Sequence, residues 1–211
     1  MKLTKYQHAC LQLEKEGTTL IVDPGVFSHD FIMPHHVDGV IITHEHPDHF
    51  DESLVTRILT QYPKAMLIAP ENITSRYSDY ETIPMAIGQV YTVGTFTLRF
   101  FGGEHAAIAP GITVPTNFGV LLDDSFYYPG DAFVAPEIAQ IDTLALPVSA
   151  PWLKISDTIE FLQRVSPRLA FPTHDAILSA DGKSIVDKTI GAAAGDAGII
   201  YKRLDGSSVD S

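Results

Sequence analysis

Residues 40–50 read Val40-Ile41-Ile42-Thr43-His44-Glu45-His46-Pro47-Asp48-His49-Phe50, a short β-branched apolar run that gives way to a histidine-rich turn. Such a run predicts a buried strand, and Pro47 prevents its continuation. Downstream, Leu54, Val55, Ile58 and Leu59 recur at helical spacing, predicting a helix over 51–62 that stops before Pro63, and residues 65–69 predict a second buried strand. Upstream, two apolar runs around Glu16-Gly17 predict a β-hairpin over 9–23 that closes on Asp23-Pro24-Gly25. Strand-turn-helix-strand after a hairpin is an α/β pattern.

The rest of the chain continues it. Phe96, Leu98 and Phe100 alternate with Thr95, Thr97 and Arg99, predicting a hairpin over 90–101 around Gly94 with one buried face. Residues 114–128 predict a second antiparallel pair turning at Asp123-Asp124. Residues 144–148 predict a strand, 155–165 a helix with Ser156 as its N-cap, and 169–172 a final central strand. A helix near 183–194 and a strand at 199–201 are expected in the Gly- and Ala-rich tail, while residues 71–84 give only a weak helix or loop signal. Without a linker-like shift in composition or a repeat, the expectation is one α/β domain over 1–211.

Composition narrows the function. The 211 residues are 45% hydrophobic and 19% charged, an ordinary globular composition. The formal net charge of −12, with no basic stripe, disfavours polymeric nucleic acid and acidic membranes. No apolar run approaches the roughly 20 residues of a membrane span, and the N-terminus lacks the apolar core of a signal peptide, so a cytoplasmic location is expected. One cysteine, Cys10, excludes an intramolecular disulfide and any Cys-rich metal site, whereas nine histidines point to nitrogen and oxygen ligands.

The motif supplies such ligands. H-x-H-x-D-H is expected by chance in about one chain per thousand of this length. In extended backbone, residues two apart share a face, so His44 and His46 can reach one metal, while the turn at Pro47 lets Asp48 and His49 point toward a second. The set suits a dinuclear site for Zn²⁺ or a similar first-row ion such as Mn²⁺ or Fe. His105, Asp131 and His174 each lie at a strand-to-loop junction, as does Asp23, where a rigid scaffold places functional side chains.

In this order, Asp23, His44-x-His46-x-Asp48-His49, His105, Asp131 and His174 resemble the motif series of the metallo-β-lactamase superfamily. The resemblance implies an αββα sandwich with the site at the sheet edges. It implies one metal on His44, His46 and His105, a second on Asp48, His49 and His174, Asp131 bridging the two, and Asp23 orienting the ligand loop. Only 42 residues separate Asp131 from His174 and 37 follow His174, too few for the inserted domain of the β-CASP nucleases or the helical domain of glyoxalase II. Leu146-Pro147-Val148, Trp152 and Phe171-Pro172-Thr173-His174 are similar to the compact bacterial branch related to L-ascorbate-6-phosphate lactonase.

The function implied is hydrolysis of a small ester, lactone or phosphodiester, an anionic substrate being among the candidates, by a metal-activated hydroxide, with Asp48 able to move a proton. Alternatives on the same ligands are a di-iron redox or oxygen-handling protein, a small phosphodiesterase or nuclease, and a metal-binding module without turnover. Trp152 and Lys154 are candidate substrate contacts, Asp175 is a candidate loop cap or acceptor beside His174, and Cys10 is read as a small core residue in a strand. His8, His29, His35 and His36 match no motif and are expected at surface or loop positions; of these, His29, His35 and His36 lie closest in sequence to the pocket.

Overall fold

The computed structural model describes residues 1–137, 140–204, 206 and 208–210; the expected domain span of 1–211 therefore includes positions outside the described residues. The first half comprises β1 (Lys2–Lys5), β2 (Leu11–Lys15), β3 (Thr18–Val22), β4 (Gly39–Ile41), α1 (Glu52–Gln61), β5 (Met66–Ala69), α2 (Glu71–Thr74) and β6 (Thr82–Pro84). The second comprises β7 (Val90–Val93), β8 (Phe96–Gly102), β9 (Phe118–Leu122), β10 (Phe126–Tyr128), β11 (Thr143–Pro147), α3 (Ile155–Val165), β12 (Leu169–Thr173), α4 (Ala180–Asp196), β13 (Ile200–Tyr201) and β14 (Ser208–Asp210).

Two seven-stranded sheets result, ordered β14-β1-β2-β3-β4-β5-β6 and β13-β12-β11-β10-β9-β8-β7. Each is mixed: β1-β2-β3 and β7-β8-β9-β10 run antiparallel, while β3-β4-β5-β6 and β10-β11-β12-β13 run parallel. Strand alternation builds three apolar layers. In β3, Leu20 and Val22 enter the layer between the sheets while Ile21 faces outward to Leu54, Val55, Ile58 and Leu59 of α1. In β9, Val120 and Leu122 point inward and Leu121 outward to the layer shared with Phe161 and Leu162 of α3 and Ile190 of α4. With both faces covered, the central strands read as continuous apolar runs. The order helix, sheet, sheet, helix is the αββα sandwich.

Several boundaries differ from expectation. Asp51 is the N-cap of α1, its carboxylate accepting from the Ser53 and Leu54 amides, so the helix starts one residue later. Helix α3 starts after Lys154, whose carbonyl accepts from the Asp157 and Thr158 amides, and Ser156 lies inside the first turn with its hydroxyl donated to Asp157. The antiparallel pair expected from residue 114 begins at Phe118, because residues 103–117 form a loop toward the site. Strand β12 has only the two-residue β13 beyond it and so is penultimate rather than central. Three strands carry no periodic apolar signal: β1, β6 and β14 add to the first sheet by backbone pairing. Cys10 is fully buried in the core immediately before β2. No described helix is long and apolar enough to cross a membrane.

Candidate metal centre

The motif loop leaves β4 and runs across the sheet edge to α1. Its path depends on Gly25, where a Cβ would stand 1.9 Å from the Asp48 carbonyl oxygen; only glycine lets the Asp23 loop lie this close. The Val26 amide then bonds the Pro47 carbonyl at 2.9 Å, tying the two loops together. The second sheet brings His105, Asp131 and His174 to the same edge. Asn117 fixes the Asp131 turn by donating to the Pro129 carbonyl and accepting from the Asp131 amide, and Gly130 leaves room for it. Three non-glycine residues at this edge, His8, Asp23 and His174, have positive φ, between 45° and 62°.

The imidazoles are oriented by their outer nitrogens. Thr43 donates its hydroxyl proton to Asp23 at 2.6 Å, so the 3.0 Å contact between Thr43 Oγ1 and His44 Nδ1 is a donation from the ring. Nδ1 of His49 donates to Asp23 at 2.7 Å, Nδ1 of His105 to the Ala106 carbonyl at 2.6 Å, and Nδ1 of His174 to the Ser149 carbonyl. With its proton on Nδ1, each neutral ring presents a lone pair at Nε2, the form a metal ligand needs. Tyr128 supports the same carboxylate, its hydroxyl lying 3.0 Å from Asp23 Oδ2.

Two donor clusters follow. Nitrogens of His44, His46 and His105 lie within 4.8 Å of one another, and so do donor atoms of Asp48, His49 and His174 together with His8. Asp131 sits between the clusters, 3.4 Å from His105 Nε2, 3.1 Å from His174 Nε2 and 3.2 Å from His49 Nε2. Buried Nε2 of His49, Nε2 of His105 and Oδ1 of Asp131 make no well-directed hydrogen bond among the described residues. Buried polar atoms left in this way, arranged as lone pairs around shared points, fit divalent cations. A third grouping, Asp23 with His44 and His49, differs because Asp23 accepts protons from the outer side.

Charge is distributed accordingly. Burial opposes ionisation of Asp131, yet His49 and His174 hold its carboxyl well below the usual carboxylate range. Burial likewise opposes charge on Asp48, but hydrogen bonds with His174 and His8 keep it ionised. Burial, then the neighbouring His49, push His44 well down and keep it neutral. Against the effect of burial, Asp131 and Asp23 raise His49, and Asp131 and Asp48 raise His174 to about 9, so these two rings favour a second proton at Nε2, the position at which a bound cation would replace it.

Of the remaining candidates, Trp152 reaches the centre, donating Nε1–H to Asp131 Oδ2 at 2.9 Å. Lys154 has an exposed side chain at the start of α3. His29, His35 and His36 are exposed, and His36 pairs with Asp38. His8 departs from expectation. It is fully buried, its ring 4.1 Å from that of His174 and its Nε2 3.0 Å from Asp48 Oδ2. The available signal was a histidine directly before the apolar run Ala9-Cys10-Leu11. Asp175 accepts from buried Lys5 and from Arg203, and Lys183 lies 3.3 Å away, anchoring the residue after His174 to β1 and the C-terminal segment.

Relatives share this arrangement of chain. A Mycobacterium tuberculosis protein, Rv0786c, is 37% identical over 191 residues, spanning 88% of this chain and 89% of its own. A UPF0173 metal-dependent hydrolase of Carboxydothermus hydrogenoformans is 26% identical over 210 residues, 89% of this chain and 92% of its own. The structure of Igni18, described as a novel metallo hydrolase of the archaeon Ignicoccus hospitalis, superposes with a TM-score of 0.76 at 18% identity, covering 100% of this chain and 98% of that one. The family described as the Beta-lactamase superfamily domain matches residues 2–174, from β1 to the last histidine of the centre, and the chain belongs to that superfamily.

Proposed function

We propose that the chain is a metal-dependent hydrolase that cleaves a small ester, lactone or phosphodiester at a dinuclear centre, with Zn²⁺ as the resident ion. In this reading His44, His46 and His105 would hold one ion and Asp48, His49 and His174 the other, with the Asp131 carboxylate available to either. The observation carrying it is the convergence of four Nε2 lone pairs whose outer nitrogens are committed to fixed acceptors. Divalent ions bound there would supply Lewis-acid chemistry, the lowering of a water's pKa toward about 7 and the polarisation of a substrate oxygen.

The chain's residues supply the rest. Asp48 is the cluster carboxylate most open to solvent, with 23% of its side chain exposed against 4% for Asp131. It is therefore placed to accept the proton that an attacking water releases. Asp131, gripped by Trp152 and buried, serves as a fixed charge between the clusters. Asp23 and Tyr128 orient His49, and Asp23 orients His44 through Thr43. Similarity to the UPF0173 metal-dependent hydrolase of Carboxydothermus hydrogenoformans supports hydrolysis.

The test is a panel of lactones, carboxylic esters, thioesters, phosphodiesters and β-lactams with metal-replete protein, alongside metal analysis. Expected are about two zinc ions per chain and turnover of one substrate class that Asp48→Ala lowers by roughly 10²-fold or more. A stoichiometric iron chromophore, or undiminished turnover by Asp48→Ala, overturns the assignment.

A further inference from the structure

A cavity of about 770 Å³ opens beside the centre, with His105 in its wall. This lies within the range of roughly 300–1,000 Å³ usual for small-molecule sites. Its remaining walls are mainly apolar: Phe101, Phe133, Val134, Ile87 and Val90 all face it. Ile87 and Val90 are 61% and 55% exposed, forming an apolar rim that no element among the described residues covers. The inner wall is held in place, since Phe133 stacks on Phe161 at 4.8 Å and meets Trp152 edge-on at 5.2 Å, while Phe101 meets Tyr127 edge-on.

Trp152 joins the cavity to the proposed chemistry. One edge of its indole donates to Asp131, and the ring packs on Phe133. A ligand lying against Phe133 with its reactive carbon near His105 would therefore extend away from the two donor clusters along an apolar surface. The charged groups of the cavity do not favour an anion there. Arg99 is paired with Asp124 at 3.1 Å, and Glu104 and Glu137 add negative charge.

Resting on the hydrolase reading, we infer that this cavity binds the uncharged apolar acyl chain of an ester or lactone whose carbonyl is presented to the His105 side of the centre. Hydrolysis adds water across the acyl–oxygen bond: the acyl carbon gains hydroxyl oxygen, the bond to the leaving oxygen breaks, and that oxygen takes up a proton. The cavity sets chain preference by removing the apolar surface of each methylene from water.

Two readouts test this. In the first, metal-replete protein is assayed with p-nitrophenyl acetate, butyrate and octanoate. The expected result is a kcat/KM at least roughly tenfold higher for octanoate than for acetate, arising in KM. Ile87→Asp, on the exposed rim, should collapse that ratio toward one, while Ile185→Asp, exposed on α4 away from the cavity, should leave it intact. In the second, 1-octanol is titrated while the emission of Trp152, the chain's single tryptophan, is followed. A saturable change that Ile87→Asp weakens roughly tenfold, and that inorganic phosphate does not reproduce, supports the inference. No saturable response, or ester turnover indifferent to chain length, overturns it. Saturable octanol binding without hydrolysis of any ester, lactone or phosphodiester upholds the cavity's ligand class and overturns the hydrolase reading instead.

Discussion

His8 donates a hydrogen bond from Nε2 to Asp48 Oδ2 at 3.0 Å, because its Nδ1 accepts from the Ala176 amide at 3.3 Å. It is thus protonated on the nitrogen facing the centre, the reverse of the four rings that present lone pairs. Burial pushes its pKa down to about 4, so the donor is a neutral imidazole. His8 positions Asp48. His8→Ala should weaken metal retention by roughly 10–100-fold in a chelator competition, the usual cost of losing a partner that orients a ligand. His8→Gln, which keeps an N–H donor, should recover part of that loss. Equal retention by wild type and His8→Ala would show that Asp48 is held without it.

Trp152 and Asp131 offer a cleaner separation of packing from hydrogen bonding. Trp152→Phe removes the Nε1 donor but keeps an aromatic ring against Phe133 and His105. Metal affinity should fall by about tenfold in the same competition assay. Thermal stability of the metal-loaded protein should change by no more than about 1.5 kcal/mol, the net worth of an ordinary hydrogen bond. A large loss of stability with unchanged affinity would make Trp152 a packing residue only.

The elements that carry periodic apolar patterns were legible in the sequence: the hairpin of β2 and β3, helix α1, and the alternation in β8. So was the donor set, because H-x-H-x-D-H is dense and strand ends mark the remaining members. What escaped was long-range. His8 gains meaning only from Asp48, 40 residues away, and Lys5 reads as N-terminal polarity until Asp175, 170 residues away, is placed beside it. Strands β6 and β14 are recognised by backbone partners rather than by side-chain pattern, and the first turn of α3 is satisfied by backbone bonds that a search for side-chain caps misses.

The Asp175 cluster should be a major determinant of stability. Its carboxylate is wholly buried, with Lys5 Nζ at 3.2 Å, Lys183 Nζ at 3.3 Å and Arg203 hydrogen-bonded to the second oxygen. Removing one partner of a buried ion pair typically costs about 3–5 kcal/mol because the remaining charge stays desolvated. Asp175→Asn keeps the shape and removes the charge, so urea unfolding of this variant should show a loss of that order. A loss under about 1 kcal/mol would mean that water solvates Lys5 and Arg203 once the carboxylate is neutralised.

Alkaline pH should destabilise the fold in two stages. Burial raises the Cys10 thiol far above its ordinary value, with the neighbouring Ser28 acting in the opposite direction. Burial also raises Tyr127, Tyr128 and Tyr201. A group whose pKa is higher in the folded state contributes full stability below its unfolded pKa and loses it as pH rises toward the folded value. The unfolded chain releases the thiol proton near pH 8.5 and the phenol protons near pH 10. Stability should therefore be insensitive to these groups below about pH 8.5, then fall by about 1.4 kcal/mol per pH unit for the thiol, and more steeply above about pH 10 as the tyrosines join. Cys10→Ala should abolish the first stage and leave the second. The native thiol should be inert to a disulfide reagent at pH 8 and titrate as one equivalent in denaturant. Rapid labelling of the native protein would show instead that the segment before β2 opens readily and that the first stage has another source.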